Sequence, residues 1–163
     1  MPKLSVFPKC YMKELCIMRT MSIFEWIDAA SGLDVDGIEL YPSFFTSFEY
    51  SYLKKVKQAI SGHKLLAPMF CVSPDFTKPD AAARKNEIEK YRRILDVAAF
   101  FDAQTCRVLT GQGYPGLGRN TGIERVVECI NEVLHDAAAR KITLVIENHY
   151  KDPSWDYPEF ARP

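Results

Sequence analysis

The chain has 163 residues, 47% of them hydrophobic, which is enough for a core of its own. Lys plus Arg and Asp plus Glu each number 21, so the formal net charge is zero. That balance, with no long run of one sign, argues against a nucleic-acid or membrane-surface partner and favours a small molecule recognised by local chemistry.

After Met1-Pro2-Lys3 the apolar run is only Leu4 to Phe7, too short for a signal peptide, and no stretch approaches the roughly 18 apolar residues of a spanning helix. The expectation is a soluble, cytoplasmic protein. Cysteines stand at 10, 16, 71, 106 and 129 without a CxxC. This pattern fits reduced structural thiols better than a zinc cluster or a disulfide framework.

In chain order, short apolar runs alternate with segments of helical period. The runs are Leu4–Phe7, Gly37–Tyr41, Leu65–Val72, Cys106–Leu109 and Ile142–Ile146, each bounded by Gly, Pro or polar residues as strands are. Between the first two, Ser22-Ile23-Phe24-Glu25 reads as a capping box and Gly32 as a C′ stop. Phe48 to Ile60 has helical spacing, and Asp80 is placed to cap a longer helix through Ala98. Thr121-Gly122-Ile123-Glu124 reads as a second box, followed by an apolar stripe at 123, 126, 127, 130, 133 and 134. Tyr157 to Ala161 has the pattern of one further helix start.

The order βαβαβαβαβ predicts a parallel α/β sheet with helical crossovers. Strand starts every 30 to 40 residues or so fit either a (β/α)8 barrel or a doubly wound sheet, and the spacing alone does not choose between them.

In parallel α/β folds, chemistry gathers at the C-terminal ends of strands. The fifth run ends most polar, in Glu147-Asn148-His149-Tyr150-Lys151. Glu147 follows a buried-type run directly and shares strand parity with His149, so both would point to one side, where a Glu and a His suit metal binding or proton transfer. A salt-bridged Glu147 and a surface His149 are the structural alternative. Glu39, at the end of the second run, either lines the same mouth or pairs with Lys9. Lys151 and Trp155 are candidate substrate contacts, or else a solvated lysine and a packed tryptophan.

Gly111-Gln112-Gly113-Tyr114-Pro115-Gly116 matches G-x-G-x-x-G. The dinucleotide fingerprint needs a helix to begin within it, and Pro115 and Gly118 oppose that, so a pocket-rim loop is the better reading. Arg119 in this region is placed to meet an anionic group, or is simply exposed. Ser73 lacks nucleophile context, and His63 and His135 read as surface residues.

Three motifs then become familiar. Leu144-Val145-Ile146-Glu147-Asn148-His149 resembles the l-x-x-E-N-H signature of sugar phosphate isomerases/epimerases of the xylose isomerase-like TIM barrel (AP endonuclease family 2) superfamily. Asp36-Gly37-Ile38-Glu39-Leu40 resembles that family's D-G-I-E-l, and Cys106-Arg107-Val108-Leu109-Thr110-Gly111 its v-R-v-x-x-G. The resemblance implies a (β/α)8 barrel, a sugar or sugar phosphate substrate, and a divalent metal (Mn, Mg, Co or Zn). It implies proton transfer next to a carbonyl, with Glu147 as metal ligand and one of a pair of glutamates, and His149 facing the substrate.

In the family, further ligands come from strands six to eight. The chain ends at Pro163, after about five βα units, so the expectation is a single partial barrel domain over 1–163 and an incomplete, inactive fragment with a weak or absent metal site. Exposed strand edges would invite self-association. The alternatives are a non-catalytic sugar-binding or scaffold module and, less favoured, a nucleotide-binding doubly wound domain. Abasic-site DNA repair on the same barrel is disfavoured by three histidines and zero net charge.

Overall fold

The computed structural model describes residues 3–147. Among the described residues five strands alternate with four α-helices: β1 Ser5–Val6, α1 Ile23–Ser31, β2 Gly37–Ile38, α2 Tyr50–Gly62, β3 Met69–Cys71, α3 Ala81–Phe100, β4 Thr105–Val108, α4 Arg119–Ala139 and β5 Thr143–Ile146. The chain divides into two compact units, Met1–Cys71 with Phe100–Gln104, and Val72–Ala99 with Thr105–Pro163.

In the first unit β1 and β2 pair in parallel, Ser5 with Gly37 and Val6 with Ile38. Parallel bridges from Gly37 to Leu66 and from Leu40 to Phe70 carry the sheet on toward β3. Gly37 is required by this close approach, since a Cβ there would lie 2.7 Å from the Leu66 carbonyl oxygen. The core joins Ile23, Trp26 and Ile27 of α1, Val56 of α2, and Ile38, Leu40 and Phe70 from the strand region, all 2% exposed or less. Phe45, Phe70 and Phe101 form an aromatic cluster with ring centroids 5.7 to 6.0 Å apart.

The Ser22 box is formed: its hydroxyl accepts from the Glu25 N–H and the Glu25 carboxylate accepts from the Ser22 N–H. Gly32 does not act as a left-handed C′ stop. Its φ is −82°, and its N–H closes the helix on the carbonyls of Ala29 and Ala30. After α2, α3 and α4 the left-handed residue is not a glycine: Lys64, Asp102 and Lys141 have φ of 58 to 59°. Ile142 N–H reaches back to Ala137 and Lys141 N–H to Ala138, a Schellman closure with lysine where glycine is usual.

In the second unit β4 and β5 are parallel, from Thr105 with Thr143 to Val108 with Ile146. Asp80 caps α3 as the sequence predicts, its carboxylate accepting from the Ala83 N–H at 2.6 Å. Two ion pairs, Arg92–Asp136 at 2.7 Å and Arg140–Asp96 at 2.6 Å, tie α3 to α4. Helix α4 starts at Arg119 with Gly118 as N-cap and no side-chain cap, so Thr121 lies within the first turn instead of capping it. The buried stripe of α4 is Gly122, Val126, Cys129, Val133 and Ala137. Of the apolar residues expected on one buried face, Ile123, Val127 and Leu134 are instead 43 to 51% exposed, because the helix turns a narrower stripe inward. The expected buried run of β5 is likewise half-covered: Leu144 and Val145 are intermediate and Ile146 is 65% exposed. The buried thiols are Cys71, Cys106 and Cys129, and none of the five cysteines is bridged.

Candidate functional site

Strand β2 places Glu39 just past its last paired residue. Ile38 and Leu40 are fully buried, so by the alternation of the strand Glu39 points to the opposite face with Gly37. The Ser5 hydroxyl donates to Glu39 Oε1 at 2.9 Å, and the Cys71 thiol lies 3.4 Å from Oε2. The partners of Glu39 are thus Ser5 and Cys71, and the alternative pairing with Lys9 is not made.

The second unit holds Glu147. Strand β4 buries Cys106 and Val108 on one face and turns Arg107 to the other. Arg107 is aligned with Val145, and Glu147 stands two residues further along β5 on the same side. Arg107 Nη1 donates to Glu147 Oε2 at 2.7 Å, and Nη2 donates to the Ser73 hydroxyl at 3.1 Å. The arginine side chain is 13% exposed and the glutamate 43%. Arg107 Nε is buried with no hydrogen-bond partner. The strand is steadied from behind by Tyr91, whose hydroxyl donates to the Arg107 carbonyl at 3.2 Å. Burial pushes the Tyr91 phenol far up and the neighbouring Cys106 thiol up to about 11, so both stay protonated and serve packing.

The loops after β3 and β4 are locked together by Asp75. Its Oδ1 accepts from the Thr77 N–H at 3.3 Å and shares the Gln112 N–H, at 3.2 Å, with Thr77 Oγ1 at 2.8 Å, and its Oδ2 accepts from the Tyr114 hydroxyl at 2.5 Å. The proton of the buried Thr77 hydroxyl is shared between Asp75 Oδ1 and the Gln112 carbonyl. Burial and the Asp75 carboxylate push the Tyr114 phenol up to about 12. Burial raises the Glu87 carboxyl, yet hydrogen bonds from Lys78, Lys90 and the Asp75 N–H outweigh it and hold Glu87 below the usual range. Gly111 has φ +143°, and a Cβ there would lie 2.3 Å from Thr77 Oγ1, so only glycine fits. This glycine-rich loop is irregular to Gly118, which is the geometry of a rim and not of a dinucleotide turn.

The structure therefore positions Glu147 and Glu39 at strand ends. His149, Lys151 and Trp155 lie outside the described residues. His63 follows α2 near Asp28, at 3.7 Å, and His135 is exposed on α4. Sequence reasoning missed Arg107 as the partner of Glu147 and Ser73 as the second partner of Arg107. A signal was present: Arg107 is a charge inside the otherwise apolar run Cys106–Leu109.

The divalent metal that the resemblance implies is not matched by these residues. No group of three His, Cys, Asp or Glu among the described residues could hold an ion. A guanidinium already occupies Glu147 Oε2 at 2.7 Å, and a second cation there would meet like charge.

The family model described as xylose isomerase-like TIM barrel matches residues 27–162. The chain belongs to that family. Among solved structures, protein SMc04130 from Sinorhizobium meliloti 1021 is 22% identical with a TM-score of 0.71, over 88% of this chain and 50% of that one. D-psicose 3-epimerase from Clostridium cellulolyticum H10, crystallised with D-tagatose, is 18% identical with a TM-score of 0.74, over 88% and 51%. 3-keto-D-glucoside 4-epimerase, YcjR, from E. coli is 18% identical with a TM-score of 0.70, over 94% and 59%. At these identities the likeness shows the fold, a parallel α/β barrel architecture. The chain spans about half the length of the structures it matches. A search of the curated proteins found no match. No helix among the described residues is long and apolar enough to cross a membrane.

Proposed function

We propose that the chain carries part of a sugar isomerase or epimerase site, in which Glu147 moves a proton on the carbon next to a carbonyl. The observation that carries this reading is the carboxylate of Glu147 at the C-terminal end of β5, oriented by Arg107 and 43% exposed toward an incoming ligand. Family membership over residues 27–162 and neighbours whose names are those of sugar epimerases support it. Glu147 takes the proton as general base and Arg107 fixes the carboxylate against rotation. His149, Lys151, Trp155 and Glu39 are assigned contacts to a sugar or sugar phosphate, with the protein placed in the cytoplasm and its strand edges open to self-association. One carboxylate beside a guanidinium is a poor ion site among the described residues.

The test is proton exchange. Incubated in deuterated water with D-fructose, the chain should introduce deuterium next to the carbonyl, and Glu147→Gln should stop it. Exchange that is unchanged in Glu147→Gln removes the role. A second reading, sugar binding without turnover, is favoured by the same Arg107–Glu147 ion pair, since a committed carboxylate can accept from a hydroxyl without moving a proton. Saturable sugar binding with no exchange selects it.

A further inference from the structure

The residues around Glu147 also bear on which sugar is bound. We propose that Arg107, Glu147 and Ser73 form a charge-neutral clamp for neighbouring hydroxyls of an unphosphorylated sugar. This rests on the sugar-site reading above and specifies its substrate class.

A sugar hydroxyl both donates and accepts, so it is matched by a donor and an acceptor held side by side. Arg107 and Glu147 supply that arrangement, their polar atoms 2.7 Å apart at the strand ends. Ser73 adds a hydroxyl on the far side of the guanidinium at 3.1 Å. The guanidinium plane is fixed by these two partners, and its fork spends one N–H on each, leaving further donors on the same rigid group. The paired charges sum to zero, so a neutral ligand is not repelled and a dianion gains little.

The surrounding loops reinforce this. A phosphate group wants an uncommitted cation or a cluster of unpaired N–H donors. The loop after β3 holds one cation, Lys78, and it is paired with Glu87 at 2.9 Å. The loop after β4, residues 109–118, holds none. The same two loops present Asp75, whose carboxylate is already met by Thr77, Gln112 and Tyr114. Arg125, on α4, donates to the Thr77 carbonyl at 3.2 Å. The polar side chains of these two loops are therefore satisfied, which suits hydroxyls more than phosphate; the first turn of α4, which has no side-chain cap, is where a phosphate would bind instead, and the phosphate ester below tests it.

The test is a titration of the full chain, in chelator, with D-fructose and separately with D-fructose 6-phosphate, followed by NMR shifts of labelled protein. D-Fructose should saturate, and the phosphate ester should bind no more tightly. Arg107→Met should weaken D-fructose about tenfold or more and Ser73→Ala about threefold, as removal of a charged and a neutral hydrogen bond implies. Ser73→Ala keeps the test valid if Arg107→Met unfolds, and circular dichroism reports which has occurred. Tenfold tighter binding of the phosphate ester overturns the clamp and leaves the proton-transfer reading standing. Unchanged affinity in a folded Arg107→Met or in Ser73→Ala also overturns it. Binding without deuterium exchange defeats only the proton-transfer reading, and no binding of either sugar defeats both.

Discussion

Replacing Asp75 by Asn should loosen the two loops at the rim of the second unit. Asp75 receives the Thr77 and Gln112 N–H groups, the Tyr114 hydroxyl and a share of the Thr77 hydroxyl proton. A hydrogen bond to an ionised group contributes about 1 kcal/mol more than one between neutral groups. Two full bonds, from the Thr77 N–H and the Tyr114 hydroxyl, lose that increment, while the Gln112 N–H is shared with Thr77 Oγ1 at 2.8 Å, for a total of about 2 kcal/mol. At 1.4 kcal/mol per decade, this is about thirtyfold. Amide hydrogen exchange at Gln112 and Thr77 reads it locally, so the two-unit organisation of the chain does not blur the result. Both amides should exchange about thirty times faster in Asp75→Asn. The Tyr114 phenol, held up at about 12 by burial and then by Asp75, should titrate lower, nearer its ordinary value. Exchange within about threefold of the wild type would refute the claim that Asp75 holds the loops together.

Gly111→Ala should be strongly destabilising, since φ is +143° and the new Cβ would meet Thr77 Oγ1 at 2.3 Å; a loss of about 2 to 4 kcal/mol in urea unfolding is expected. Ser22→Ala should cost about 1 kcal/mol by removing the cap of α1, read as a lower melting temperature. The backbone and side chain of Ser22 hold the Glu25 carboxyl below its ordinary value. A depressed carboxyl contributes stability above its unfolded pKa and loses it as pH falls through the folded one, so the cap should weaken on acidification and a carbon-detected titration of Glu25 should report its low midpoint. Lys64→Gly should stabilise the first unit by up to about 1 kcal/mol, because φ is 59° there and glycine carries no left-handed penalty; an unchanged urea midpoint would argue against strain at that position.

The order of elements was legible because each strand is a short apolar run and each helix a periodic one. The capping box at Ser22 and the cap at Asp80 were readable for the same reason: a polar oxygen three residues ahead of an N–H is a local fact. Thr121 misled because the helix could start earlier, where extended Gly118, ψ 148°, serves as N-cap and Leu117 closes a turn on Tyr114. Lys64, Asp102 and Lys141 carry left-handed turns that glycine would have announced, and no composition rule marks them. Glu147 was visible as a charge closing an apolar run. Its partner Arg107 was not, being 40 residues away, nor was Ser73, which meets the Arg107 guanidinium only through the fold. Glu39 was visible too, but the choice of Ser5 and Cys71 over Lys9 depends on strand alignment.

The central claim is that Glu147 transfers a proton next to a sugar carbonyl. The direct measurement is the rate of deuterium incorporation into D-fructose, by proton NMR in deuterated water, for the wild-type chain and for Glu147→Gln under identical conditions. Catalysed incorporation should fall about a hundredfold or more in the variant, the range for loss of a positioned general base. No incorporation above the buffer rate with the wild type, or an equal rate with Glu147→Gln, would contradict it.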